Sequence, residues 1–243
     1  MLHLCSGNQL ENLADQLVLD LSKPVNNFIE SELIAVPGAG FGRWLSLRIA
    51  HQRGVCANIH WKLPADLIWF LFRTAIPDVP ESNAFSSEAL AWRIFDILSD
   101  NDFVKSHKPL RVYLASGDAL KSWQLSKKLG HLFEQYLIYR PDWILEWQRR
   151  TPKHWQAEVW NRLVSTGINQ HWLILQKEML LLLKEDQSVL DKLPDRISFF
   201  ALPTLSVVYL EFLEALSKNI DVMIYYHNFS KVYWSELDTK TDD

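Results

Sequence analysis

Cysteine is scarce in this chain. The 243 residues hold two, Cys5 and Cys56, in apolar strand-like contexts and with no metal-ligand spacing. Two reduced, buried thiols are the expectation, which fits a cytoplasmic protein and no disulfide framework. Long apolar runs are missing as well. The longest, Leu67–Phe72 and Met179–Leu183, are far too short to cross a bilayer. The first residues, Met1 to Asn8, carry no basic stretch followed by an apolar one, so no export signal is expected and no membrane partner. The eight histidines never fall as H-x-x-x-H or H-E-x-x-H, and no G-x-S-x-G occurs, so zinc hydrolysis and an α/β-hydrolase nucleophile find no support. No metal or cofactor is implied. An excess of positive charge is also absent, because the net charge is −4, and this argues against a simple basic coat for DNA.

What is there is a soluble globular composition, with 48% hydrophobic and 22% charged residues. The charge is uneven. From Lys105 to Trp155 ten Lys and Arg stand against four acids, which suits either a phosphate-facing patch or a solvated helical surface. Four apolar runs read as buried strands, namely Leu2–Cys5, Leu33–Val36, Ile197–Ala201 and Val222–Tyr226, with a weaker fifth at Ala57–Trp61. Helical spacing is carried by Leu10–Leu21, Gly42–His51 and Ser206–Ser217 between them. This alternation is the pattern of an α/β fold with a parallel sheet and right-handed crossovers.

The middle of the chain differs. From Pro64 to about Asp191 only helices are predicted. Ser86 is expected to cap one helix with Phe85 and Leu90 as a hydrophobic staple, Asp118 caps the next until Pro141 interrupts it, and Trp172–Lys184 closes the block. The expected organisation is therefore residues 1–63 as the first part of an α/β domain, 64–191 as an all-helical insertion, 192–237 as the second part, and 238–243 as a polar tail.

A split α/β domain invites a search for a nucleotide site. A phosphate loop needs G-x-x-x-x-G-K-[ST], with glycines for backbone approach, Lys for charge and a hydroxyl for magnesium. After the first strand stand Cys5-Ser6-Gly7-Asn8-Gln9, with one glycine and no lysine. After the second, Val36-Pro37-Gly38-Ala39-Gly40-Phe41-Gly42-Arg43-Trp44 is glycine-rich but follows Arg43 with Trp44, leaving no magnesium hydroxyl. It also lacks the third glycine of a dinucleotide fingerprint. A tight turn with close backbone approach explains such a stretch without a ligand. The strand ending Phe199-Phe200-Ala201-Leu202-Pro203 offers no carboxylate for magnesium. Among eleven tryptophans, most are expected in the core, while Trp69 and Trp143 are candidates to stack on unpaired bases.

Three segments together resemble the RecC family, the gamma subunits of exodeoxyribonuclease V. They are Ala57-Asn58-Ile59-His60-Trp61-Lys62-Leu63-Pro64-Ala65-Asp66-Leu67-Ile68-Trp69, then Leu132-Phe133-Glu134-Gln135-Tyr136-Leu137-Ile138-Tyr139-Arg140-Pro141-Asp142-Trp143, then Ala201-Leu202-Pro203 with Tyr209-Leu210 and Tyr233-Trp234. The likeness runs from about Leu4 to Trp234. It implies a superfamily-1 helicase frame, with a degenerate first sheet domain split by a helical insertion, and no ATPase of its own. It implies RecB-like and RecD-like partner subunits, contact with single-stranded and duplex-end DNA, and scanning of the single strand for a Chi sequence. Carried over residue by residue, the DNA channel takes the turn Pro37–Arg43, then Leu63 and Trp69, and from the insertion His131, Leu132, Glu134, Gln135 and Arg140. Ser6, Gly7 and Asn8 fall where the nucleotide-binding turn has degenerated. A rival reading keeps the same placement but makes the chain a protein-interaction domain without DNA contact.

The family's familiar members carry polar Gln and Thr in the turn, where this chain has Pro37 and Ala39. Arg43 replaces Gln, His131 replaces Asp, and Asn228-Phe229 replaces Asn-Pro. A lost amide is a lost bidentate contact to a base edge. A complex reconstituted with this chain is therefore expected to show altered or absent Chi-dependent cleavage on the usual octamer, and normal cleavage there would refute the expectation.

Overall fold

The computed structural model describes residues 1–23, 31–151, 154–167 and 170–230. Its strands are β1 Leu2–Gly7, β2 Glu32–Ala35, β3 Ile59–Lys62, β4 Arg196–Phe200 and β5 Asp221–His227. All pair in parallel, in the order β1-β5-β4-β2-β3. The helices among the described residues begin with α1 Leu10–Leu21, α2 Ala39–Arg53, α3 Pro64–Ala75, α4 Ser87–Ser99, α5 Asn101–Ser106 and α6 Lys108–Tyr113. They continue with α7 Ala119–Tyr139, α8 Pro141–Arg149, α9 Trp155–Ser165, α10 Trp172–Glu185, α11 Gln187–Leu190 and α12 Val207–Leu216. None is long and apolar enough to cross a membrane.

The four strands expected from apolar runs are all present. The fifth starts two residues later than expected, and the cause is local. Asn58 takes φ 58°, a left-handed conformation that asparagine tolerates, and its carbonyl accepts the Glu32 N–H at 2.9 Å before the strand can begin. Ala201, read as the last strand residue, also leaves the ladder. Its φ of 50° turns the chain out of β4, while its N–H still reaches Tyr225 O at 2.8 Å. Both cysteines are free and half-buried rather than fully buried, and Cys56 lies in the loop before β3, outside any strand.

The chain clusters into two compact units. Of the described residues, the first comprises 1–23, 31–75, 182–205 and 209–230 and holds the sheet. Its strand order dictates which face each helix takes. The crossovers β1→β2 and β2→β3 run one way along the sheet, and β3→β4 and β4→β5 run back. With right-handed connections, α1 and α2 must cover one face and α3 and α12 the other. The packing agrees. Leu13, Leu17, Leu45 and Ile49 bury against Ile34, Phe200 and Tyr225, whereas on the opposite face Phe72 meets Phe212 edge-on at 5.7 Å. β4, flanked by a strand on each side and covered on both faces, is buried throughout, as a central parallel strand should be.

The second unit comprises residues 76–181 with 206–208. Here Leu90, Ile94 and Leu98 of α4, Leu129, Phe133 and Leu137 of α7, and Val159, Trp160 and Leu163 of α9 form one core. The expected caps are made: Ser86 Oγ accepts from Ala89 N, and Asp118 accepts from Leu120 N. Pro141 does not merely interrupt a helix. It occupies the first turn of α8, where its missing N–H costs no hydrogen bond. The polar tail 238–243 and the Tyr233-Trp234 pair lie outside the described residues.

At the amino edge of the sheet, Asp20 ends α1 with its side chain 5% exposed. Its carboxylate accepts from Tyr225 Oη at 2.9 Å, Lys23 Nζ at 2.6 Å and Gln16 Nε2 at 3.1 Å. Burial raises the carboxyl pKa, but these hydrogen bonds outweigh it and hold the group below its ordinary value. A carboxylate with a depressed folded pKa stabilises above its unfolded value, and the stabilisation fades as pH falls toward the folded one. Tyr225→Phe should cost about 1–3 kcal/mol, the penalty for removing a partner of a buried acceptor, and lower Tm by several degrees at neutral pH. Asp20→Asn should show its largest stability deficit at neutral pH, with the deficit shrinking below about pH 4 in thermal melts followed by circular dichroism.

Candidate nucleic-acid interface

The first strand passes into the first helix through only Asn8 and Gln9. A phosphate loop of eight residues does not fit between β1 and α1, and the two-residue turn is already occupied. Gly7 O accepts from Asn228 N at 2.9 Å, and His227 Nε2 lies 3.3 Å from Asn8 O. Ser6 and Asn8 are exposed and Gly7 is half-buried. The glycine-rich turn is equally short, with Val36, Pro37 and Gly38 joining β2 to α2. Of its glycines only Gly42 is needed for close approach. A Cβ there would lie 2.9 Å from Trp61 Cγ, so Gly42 lets α2 pack onto β3. Gly38 and Gly40 face open space.

β2 leads to α2 on one face, while its neighbours β3 and β4 lead to α3 and α12 on the other. Ligands in open α/β sheets bind outside the carboxyl ends of strands at such a divergence. The carboxyl edge here gathers Pro37–Arg43, Leu63 and the Ala201–Pro203 turn, since Val36 N donates to Lys62 O at 2.9 Å. Arg43 is exposed near the start of α2. Leu63, 48% exposed, immediately precedes α3, and its carbonyl accepts from Leu67 N at 2.9 Å. Trp69, two turns on, is half-buried and edge-on to Phe72 at 6.3 Å.

The remaining predicted residues lie in the helical unit, on and just beyond α7. His131 and Gln135 are exposed one turn apart, with Gln135 Nε2 3.0 Å from His131 Nε2. Leu132 is half-buried against the core. Glu134 is also half-buried. Burial raises its carboxyl pKa even though Ser87 N donates to it, so it sits inward toward α4 rather than out toward a ligand. Arg140 is the largest departure from expectation. Its Nε and Nη2 donate to both oxygens of Asp142 at 3.1 and 2.9 Å, and its guanidinium lies 3.7 Å from the centre of the Trp143 ring. The Arg-Pro-Asp-Trp segment thus builds a helix corner, which its sequence spacing alone did not reveal. No group of three or more His, Cys, Asp or Glu suited to a metal occurs among the described residues.

The chain matches the family described as RecC, N-terminal domain, over residues 2–242. It belongs to the RecC N-terminal domain family. Curated relatives named RecBCD enzyme subunit RecC include that of Haemophilus influenzae, 30% identical over 95% of this chain and 24% of the relative. That of Escherichia coli K12 is 30% identical over 98% of the chain and 22% of the relative. That of Mycolicibacterium smegmatis is 27% identical over 98% of the chain and 22% of the relative. The chain therefore spans less than a quarter of the length of these RecC relatives.

Sequence reasoning missed what holds α7 against α4 in the helical unit of this RecC-family chain. Gly130, one residue before His131, lets α7 touch α4, because a Cβ there would lie 2.5 Å from Ser87 O and 3.0 Å from Ala91 N. A lone glycine inside a helix was the available signal. Gly→Ala in a helix interior ordinarily stabilises by about 1 kcal/mol. Gly130→Ala should instead destabilise by about 1–3 kcal/mol, since backbone atoms of α4 must move. A thermal melt checks the sign, and a raised Tm would refute the close crossing.

Proposed function

We propose that this chain is the amino-terminal, non-catalytic part of a RecC subunit, which reads single-stranded DNA within a RecBCD-type helicase-nuclease and scaffolds RecB-like and RecD-like subunits. In this reading residues 1–63 and 192–237 form a degenerate helicase-like domain, and 64–191 form its helical insertion. The observation that carries it is the two-residue β1–α1 turn at the place a helicase uses for ATP phosphates. With that turn closed, the carboxyl edge carrying Arg43, Leu63 and Trp69 is left to a different ligand. Trp69 suits base stacking, Arg43 a phosphate or a guanine edge, and Gln135 an amide-compatible base edge. Arg140 reaches a phosphate by exchanging its exposed Asp142 partner, an ion pair worth little in water.

A second reading, a pure protein-interaction domain, is favoured by one feature. Leu2, Leu4, Leu210 and Tyr226 are all more than a third exposed around an apolar groove on the β1 edge of the sheet. Fluorescence anisotropy with a labelled oligothymidylate separates the two. The DNA-reading proposal expects binding that weakens with salt, falls about five- to a hundredfold in Trp69→Ala, and falls measurably in Arg140→Ala. Unchanged affinity in both variants would favour the interaction domain, and ATP turnover by the purified chain would overturn the non-catalytic reading.

A further inference from the structure

The helical unit carries an aromatic-walled notch of which the sequence singled out only one wall, the stacking candidate Trp143. Trp143 and Trp147 of α8 and Trp155 at the start of α9, with Glu146, His154 and Gln156, enclose a volume of about 520 Å³. Pockets of this size with aromatic walls and a few convergent polar groups are the usual form of a small-ligand site. The three indoles are half-buried, whereas the unit's core closes around the fully buried Trp160.

The walls are held in place by their neighbours. Trp147 packs edge-on to Phe133 at 6.2 Å and to His154 at 5.1 Å, and its carbonyl accepts Asn161 Nδ2 at 2.8 Å, which fixes α8 to α9. Arg140 against Trp143 fixes a second wall, and Trp155 packs against the helical unit's core. The polar groups are equally defined. His154 Nδ1 accepts from Ala157 N at 3.3 Å as the cap of α9, so the neutral ring carries its proton on Nε2 as a donor. Gln156 supplies an amide that both donates and accepts. The Glu146 carboxylate is engaged by Arg150 at 2.9 Å, and Arg149 beside it is exposed.

We infer that this notch takes an unpaired nucleobase, stacked on tryptophan. Flat aromatic walls accept any base face, and His154 and Gln156 offer hydrogen bonds to a base edge. The inference rests on the DNA-reading proposal and extends it to a second contact on the helical unit.

The test uses the 243-residue chain and an oligothymidylate bearing a single iodouracil. Irradiation of the unmodified chain should crosslink peptides containing Trp143, Trp147 or Trp155. Trp155→Ala should weaken binding about five- to a hundredfold, and Trp155→Phe should restore most of it, with the melting transition retained in both. Crosslinks confined to the Trp69 region, together with unchanged affinity in Trp155→Ala, would overturn the notch and leave the DNA-reading proposal standing. No binding of the oligonucleotide by the unmodified chain would overturn both. If Trp155→Ala instead weakens binding of an oligoarginine peptide and leaves oligothymidylate affinity intact, the notch is a protein contact and the inference fails.

Discussion

Everything in the sheet unit depends on Arg196, which closes a sheet whose parts are far apart in sequence. The chain leaves the sheet after β3 and must return between β5 and β2, more than 130 residues later. At the start of β4, Arg196 is 8% exposed, donates to both oxygens of Glu32 at the start of β2, and donates to Asp20 O at 2.8 Å at the end of α1. Asp20 in turn accepts from Tyr225 of β5. One connected polar cluster therefore joins β2, β4, β5 and α1. A guanidinium buried this deeply is costly unless its donors are used, and here four of the unit's elements supply or surround the acceptors. Register between early and late segments is specified by that requirement as well as by apolar burial.

The same closure decides what the carboxyl edge can do. Asn228 and His227, at the end of β5, hold Gly7 and Asn8 from the side, so the β1–α1 turn is short and its carbonyls are occupied. A phosphate loop works by presenting amides over several residues, and two residues cannot do this. The glycine-rich β2–α2 turn does not compensate. Pro37 has no N–H, and Gly42 is spent on contact with Trp61.

Much of this fold was legible in the sequence, because it rests on local signals. Apolar runs marked four strands, and Ser86 and Asp118 marked their helix starts. The parts that were not legible depend on distant partners. The strand order follows from contacts such as Arg196 with Glu32, which lie 164 positions apart. Asn58 and Ala201 shift strand ends by a single left-handed residue each, a backbone choice that composition does not announce. For the candidate site, the sequence and its resemblance proposed residues, but could not give their surroundings. Glu134 is turned inward and Arg140 is held by its own corner, and both facts come from neighbours on α4 and α8.

Arg140 is held by two contacts of different strength. Its pairing with Asp142 is exposed at both ends, and such pairs contribute between nothing and about 1 kcal/mol, so a phosphate can displace the carboxylate at little cost. The stacking on Trp143 is different, because it fixes the plane of the guanidinium without using its hydrogen bonds. An arginine held flat by an indole keeps its donors aligned for a planar, bidentate acceptor and loses less side-chain entropy on binding. Asp142, though, competes for the same face. The corner is therefore a preorganised donor under light restraint, open only to an anion that binds it more strongly than the adjacent carboxylate does.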